Sequence, residues 1–188
     1  NAVWIEDGNK IAFLYPNDEG VMQMWTMNAD GSDCKMVRNV ERRVNGFLLS
    51  PDEKKIVFIS NIKSTTTAQD IYSDLPKATG IVVNDLMYKH WDEWVTEIPH
   101  PFLADFSIVN GISNVIDIME GEPFECPMKP FGGAETFAWS PDGKYLVYTS
   151  RKLKGMEYAN STDSNLYLYN LESKETELLT DGMLGYDT

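Results

Sequence analysis

The chain has 188 residues, of which 43% are hydrophobic and 12% aromatic, which excludes a disordered segment and gives enough length for a sizeable core. Its formal net charge of −13 repels phosphate backbones and anionic lipid headgroups, so nucleic acid and membrane surfaces are excluded as partners. No apolar run approaches the ~20 residues that a membrane-spanning helix needs.

Val, Ile, Tyr, Phe and Trp cluster in short runs, the pattern of an all-β protein. The chain begins at Asn1 without a methionine, already inside a strand-like phrase, and reads as a piece of a longer protein. Residues 2–5 and 10–15 predict a hairpin. Residues 23–28 predict a third strand, Asp30-Gly31 a turn, and residues 34–37 a fourth strand. A second unit opens with residues 45–49 and 55–60 around Ser50-Pro51-Asp52-Glu53-Lys54. Its third and fourth strands are expected at residues 101–106 and 115–118. The third unit is the cleanest: residues 135–139, the turn Ser140-Pro141-Asp142-Gly143, then strands at 144–149, 165–170 and 175–180. Pro presets φ for the second turn position, and Gly accepts the positive φ that closes a hairpin. Glu53 stands where the glycine is expected. If that position needs a positive φ, the substitution costs about 1 kcal/mol.

The hairpin phrase therefore occurs at Trp4, Leu49 and Trp139, and repetition at such a period means like units stacked side by side. Four antiparallel strands per unit, with Trp or Leu just before the turn, is the pattern of a β-propeller blade. A plain β-sandwich of similar hairpins is the alternative, but it has no reason to repeat a phrase with this period. Trp4 to Leu49 is one blade period and Leu49 to Trp139 about two, with no turn phrase midway. The expected fold is an all-β partial β-propeller of about three four-stranded antiparallel blades. The blades span residues 1–44, 45–130 and 131–188, and the middle one carries a long insertion at 61–99. Insertions of that length are commonly functional surfaces or contacts to another domain.

The insertion holds Tyr88-Lys89-His90-Trp91-Asp92-Glu93-Trp94. Met87, Trp91, Trp94, Val95 and Ile98 fall at helical spacing and predict one apolar face, with Asn84 or Asp85 as cap. An extended arm turning at Asp92-Glu93 fits equally well. In the functional reading Tyr88, His90, Trp91 and Trp94 line a binding face, and Asp92 or Glu93 pairs with a substrate ammonium group. In the structural reading Trp91 and Trp94 pack the insertion onto its own blade, as aromatic residues at helical spacing usually do.

Other constellations fail. No Gly-x-Ser-x-Gly phrase offers a nucleophile elbow. His90 and His100 lack zinc-ligand spacing, so no metal site is expected, and no catalytic residue or cofactor either. Gly132-Gly133 follows Pro130 and reads as a linker between blades. Asn160-Ser161-Thr162 matches a glycosylation acceptor, a pattern common by accident in polar loops. Cys34 and Cys126 either pair or stand as free thiols, and their isolation favours buried free thiols.

The Ser-Pro-Asp-Gly-Lys hairpin with Asn165-Leu166-Tyr167-Leu168-Tyr169-Asn170 resembles the propeller repeats of the TolB type, which are WD-like. The segments 74–80, 84–94 and Met128-Lys129-Pro130-Phe131-Gly132-Gly133 resemble the prolyl oligopeptidase family of serine peptidases. The nearest branch is the dipeptidyl-peptidase and acylaminoacyl-peptidase one of Bacteroidetes-like bacteria. The resemblance covers nearly the whole chain. It implies a periplasmic or secreted serine exopeptidase that removes dipeptides or acylated residues from short peptides. The propeller would gate access to a C-terminal α/β-hydrolase domain carrying a Ser-Asp-His triad. None of that triad maps onto a position here. A non-enzymatic propeller that binds protein or glycan is the alternative. A closed propeller needs at least about four blades, so three blades form an arc whose end faces are expected to self-associate.

Overall fold

The computed structural model describes residues 2–85, 89–90, 92–130 and 132–180. The first sheet runs β1 (Ala2–Ile5), β2 (Lys10–Pro16), β3 (Met22–Asn28) and β4 (Lys35–Met36), in that spatial order. The second is built from β5 (Gly46–Leu49) and β6 (Lys55–Lys63), then the insertion. The insertion contains a single-turn helix α1 (Ala68–Ile71) and the small hairpin of β7 (Lys89–His90) and β8 (Glu93–Trp94). β9 (Glu97–Ser107) and β10 (Gly111–Asp117) complete it, in the order β10-β9-β6-β5. The third runs β11 (Phe137–Trp139), β12 (Tyr145–Ser150), a short helix α2 (Gly155–Asn160), β13 (Asn165–Asn170) and β14 (Thr176–Leu178). All neighbouring strands are antiparallel. The molecule is an all-β partial β-propeller of three four-stranded blades, with a long insertion in the middle one.

The repeated phrase is explained by its turn. Ser50 Oγ donates to Asp52 Oδ1 at 2.7 Å and accepts the Lys55 N–H at 2.9 Å. Ser140 Oγ does the same with Asp142 at 2.7 Å and the Tyr145 N–H at 3.0 Å. Asp52 and Asp142 accept the Lys54 and Lys144 N–H groups at 3.1 and 3.2 Å. The serine bonds above all hold both carboxyls below the usual carboxylate range. Gly143 and Glu53 both sit at positive φ, +70° and +56°. The expected strain at Glu53 is therefore present.

The middle blade is buried on both faces by the period-2 alternation of its strands. Ile56, Phe58, Phe102, Ala104 and Phe106 join Ile5, Ala12 and Met24 of the first blade in one core. Val57, Ile59 and Leu103 join Phe137, Leu146, Tyr148, Tyr167 and Tyr169 of the third in another. The segment between the second and third blades is tied down by Glu122, whose carboxylate meets Lys152 Nζ at 2.6 Å. That ammonium lies 4.2 Å above the Tyr167 ring and donates to Tyr148 Oη at 3.1 Å.

Several expectations need correction. The central strands run further than expected, because Asn61, Ile62 and Lys63 pair with Pro99, Ile98 and Glu97. β10 begins at Gly111 and is bulged between Ser113 and Ile116, with Asn114 at φ +51°. Residues 135–136 form a 3-10 turn rather than strand. The helical alternative for the insertion gives way to the extended one, since Lys89 pairs with Trp94 and His90 with Glu93 in a hairpin. Trp94, which the structural reading packs onto the blade, is 52% exposed. The one helical turn near its start, α1, is set by a capping box in which Asp70 Oδ2 accepts the Thr67 N–H at 2.7 Å. Cys34 and Cys126 are both free. Cys126 is buried as expected, but Cys34 is exposed.

Candidate functional site

The insertion hairpin stands beside a cavity of about 480 Å³. Asp92 and Glu93, at the hairpin tip, form one wall. Asn45 and Asn61 form another, and Pro127, Lys129, Pro130, Gly132 and Gly133 of the linker to the third blade close it. Ile59 supplies an apolar patch.

The asparagine wall is held by a chain of hydrogen bonds. Arg43 Nε donates to Asn45 Oδ1 at 3.0 Å, Asn45 Nδ2 to Asn61 Oδ1 at 3.0 Å, and Asn61 Nδ2 to Glu97 Oε2 at 3.2 Å. Glu97 sits at the foot of β9, so its place is fixed by the ladder. Three carboxylates thus lie in or beside the cavity, whose lining also includes the amides of Asn45 and Asn61 and the side chain of Lys129. Such a set accepts hydrogen bonds from a cation and donates them to a carbonyl or carboxylate.

Of the residues singled out in the sequence, the structure brings Asp92 and Glu93 together at this cavity. Trp94 is not part of its lining, and Lys89 Nζ lies 4.9 Å from the centroid of the Trp94 ring. The backbone of His90 pairs with Glu93. Tyr88 and Trp91 lie outside the described residues, as does Met87. Asn45 and Asn61 were missed. The sequence carries no signal for them, because they meet only through the pairing of β5 with β6 and of β6 with β9.

A second cavity, of about 390 Å³, lies between residues 64–66 and 82–85 of the insertion and the seam with the third blade. Phe124, Glu125 and Tyr158 line its seam side. Glu125 is buried, and its Oε1 accepts the Tyr158 hydroxyl at 2.9 Å. Burial and the Glu125 charge push the phenol up to about 12. The Arg151 guanidinium stacks 3.8 Å from the Tyr158 ring centroid.

His100 is fully buried in β9, its Nδ1 2.8 Å from Asp117 Oδ2, and it reaches neither cavity. Among the described residues no group of three or more His, Cys, Asp or Glu side chains is placed to hold a metal ion.

No family profile matches the chain. It is 53% identical over 98% of its length to a dipeptidyl-peptidase 5 of Porphyromonas gingivalis, of which it spans 27%. It is 45% identical to the dipeptidyl-peptidase 5 of Porphyromonas endodontalis, spanning 26% of it. Among solved structures, an acylaminoacyl peptidase of Pyrococcus horikoshii superposes with a TM-score of 0.56 at 13% identity, over 95% of this chain and 24% of that one. A TolB-like protein of Agrobacterium tumefaciens gives 0.51 at 14% identity, over 95% of this chain and 48% of that one. The two structural likenesses show the fold alone. The sequence matches go further, and the chain spans about a quarter of the curated relatives it matches. The likeness expected from the hairpins and the insertion is therefore shown: the chain is a partial propeller that is similar, over nearly its whole length, to one part of the dipeptidyl-peptidase 5 proteins of two Porphyromonas species.

Proposed function

We propose that the chain is the substrate-gating propeller part of an exported serine exopeptidase that removes dipeptides from short peptides with a free N-terminus. The observation that carries this reading is the 53% identity to a dipeptidyl-peptidase 5 over nearly the whole chain. The cavity walled by Asp92 and Glu93 supports it, because two carboxylates beside a cluster of amides suit an N-terminal ammonium followed by a peptide carbonyl. The chemical step belongs to a hydrolase domain elsewhere in the longer protein, with the propeller holding the substrate in place.

The test compares this chain with a longer protein that carries the hydrolase domain. This chain hydrolyses no dipeptidyl chromogenic substrate, and the longer protein does. In the longer protein, Asp92→Ala and Glu93→Ala raise KM about tenfold for peptides with a free N-terminus and much less for N-blocked ones, the loss expected from one charged hydrogen bond. Cleavage by this chain alone, or equal effects on free and blocked peptides, would sink the reading.

A further inference from the structure

The second cavity is built from the interior of the chain. One wall is the insertion of the second blade, and the other is the connection to the third blade together with α2. The insertion wall is tied by Thr65 Oγ1, which donates to the Val95 carbonyl at 2.6 Å, and by the Val82 N–H, which donates to the Thr66 carbonyl at 2.9 Å. The connection is tied to the second blade by the Cys126 N–H, which donates to the Pro99 carbonyl at 2.9 Å. Ser150 Oγ, in the third blade, donates to the Glu125 carbonyl at 3.1 Å.

Glu125 belongs to the lining and is only 5% exposed. The Tyr158 hydroxyl that it accepts is a neutral donor. Among the described residues no ammonium or guanidinium forms an ion pair with it. The neighbouring cations are engaged elsewhere: Arg151 on the Tyr158 ring, Lys152 with Glu122, and Lys154 at 5.5 Å from the Phe124 ring centroid. A buried carboxylate without a countercharge is costly. Of the charged residues in the lining, Asp85 and Glu125 are acidic and Lys154 alone is basic. Val95, Ile98, Phe124 and Leu153 make the walls around them apolar. Apolar walls about a buried acid suit a cation carried on an apolar stem. Asn84, at the exposed rim, offers an amide to a peptide backbone.

We infer that this cavity binds the lysine or arginine side chain of a peptide. The cation pairs with the Glu125 carboxylate, and the stem lies along Val95, Phe124 and Leu153. The site is separate from the Asp92–Glu93 cavity, with which it shares no lining residue, and it makes no use of a free N-terminus. Its success or failure is therefore independent of the gating reading. The cavity of about 390 Å³ has room for one such side chain and part of the backbone that carries it.

Calorimetric titration of the 188-residue chain with Nα-acetyl-lysine methylamide tests this, since the blocked α-amine leaves only the side chain charged. A Kd of about 1 mM is expected, and a similar one for the arginine ligand. The norleucine ligand keeps the stem without the cation and binds about tenfold more weakly. Pentylamine keeps the cation without the amides and also binds more weakly than the lysine ligand. Glu125→Gln keeps an acceptor for the Tyr158 hydroxyl and brings the lysine ligand down to the norleucine level. Val83→Trp, at a 44% exposed position of the lining, fills the mouth and abolishes binding, which keeps the test open if the buried glutamine does not fold. Asp92→Ala changes nothing. Lysine and norleucine ligands that bind alike overturn the inference, as does lysine binding that survives either cavity variant. So does loss of binding in Asp92→Ala, which assigns the ligand to the other cavity. Pentylamine binding as tight as the lysine ligand assigns the cavity to free amines, and no binding at about ten times the expected Kd leaves it without a cation; each overturns it as well.

Discussion

The carboxylate of Glu53 crosses the seam between the first two blades and accepts the backbone N–H of Glu6 on its two oxygens, at 3.0 and 3.1 Å. It does so from a left-handed backbone, at φ +56°. The strain of that position and the contact it makes oppose each other. Glu53→Ala keeps the strain and loses the contact, so it destabilises by about 1 kcal/mol. Glu53→Gly relieves the strain while losing the contact, and falls within about 0.5 kcal/mol of the parent. Urea denaturation of the three proteins decides. An alanine variant as stable as the glycine one would remove the backbone argument.

The two serine turns make the same bonds in different surroundings. Ser50 is 3% exposed, whereas Ser140 is only half-buried. Ser50→Ala strands the Lys55 N–H away from water and costs about 1–2 kcal/mol. Ser140→Ala lets water reach Tyr145 N–H and costs about half as much. Thermal unfolding of the two variants should rank them in that order.

Acid and alkali act through different groups. The Lys63 ammonium, ahead of the Thr67 groups, lowers Asp70 to about 2, and Lys55 chiefly lowers Asp105. These carboxyls bind protons less readily folded than unfolded, so their contribution is whole above the ordinary carboxylate value and is lost as pH falls towards 2. Burial, with Glu125, raises Tyr158 to about 12, and burial, with Glu122, raises Tyr148. The unfolded chain releases those protons first, so stability declines once pH passes the ordinary phenol value of about 10. Phenolate absorbance against pH should show a late fraction that appears together with loss of far-ultraviolet ellipticity. Complete ionisation near pH 10 in the folded chain would contradict this.

His100 and Asp117 form a pair with the histidine fully buried. His100→Phe fills the space but strands the Asp117 Oδ2 acceptor, and destabilises by about 2–3 kcal/mol. Asp117 Oδ1 still accepts the Met119 N–H at 2.9 Å in the parent, so Asp117→Ala should cost more than His100→Phe. Denaturation midpoints with unchanged slopes would check both.

Much of the fold was legible because the Ser-Pro-Asp turn writes its own hydrogen bonds into the sequence, and because apolar residues alternate on either side of it. The third blade was read almost residue by residue for this reason. The length of β9 was not legible. The expected strand starts only at Pro101, yet both Pro99 and Pro101 lie in its ladder, opposite Asn61 and Ile59. Their missing N–H groups point away from β6, on the side where Pro99 O accepts the Cys126 N–H and Pro101 O the Ile118 N–H. No bond of the β6–β9 ladder is lost there, and both prolines lie past the last β10 pair, Asp117–Phe102, where that side of β9 is a sheet edge that tolerates proline. The site was half legible. Asp92 and Glu93 stood out as acids among aromatics, but Asn45 and Asn61 acquire their meaning only from the pairing of β5 with β6 and β6 with β9.

The insertion springs from β6 and β9, the two strands whose opposite faces fill both cores. A ligand that stiffens the Asp92–Glu93 tip would brace the roots of the loop in the middle of the arc rather than at its rim. Its binding energy would then be felt by the first and third blades together, and a hairpin that lies outside both cores would also set how firmly its neighbours hold.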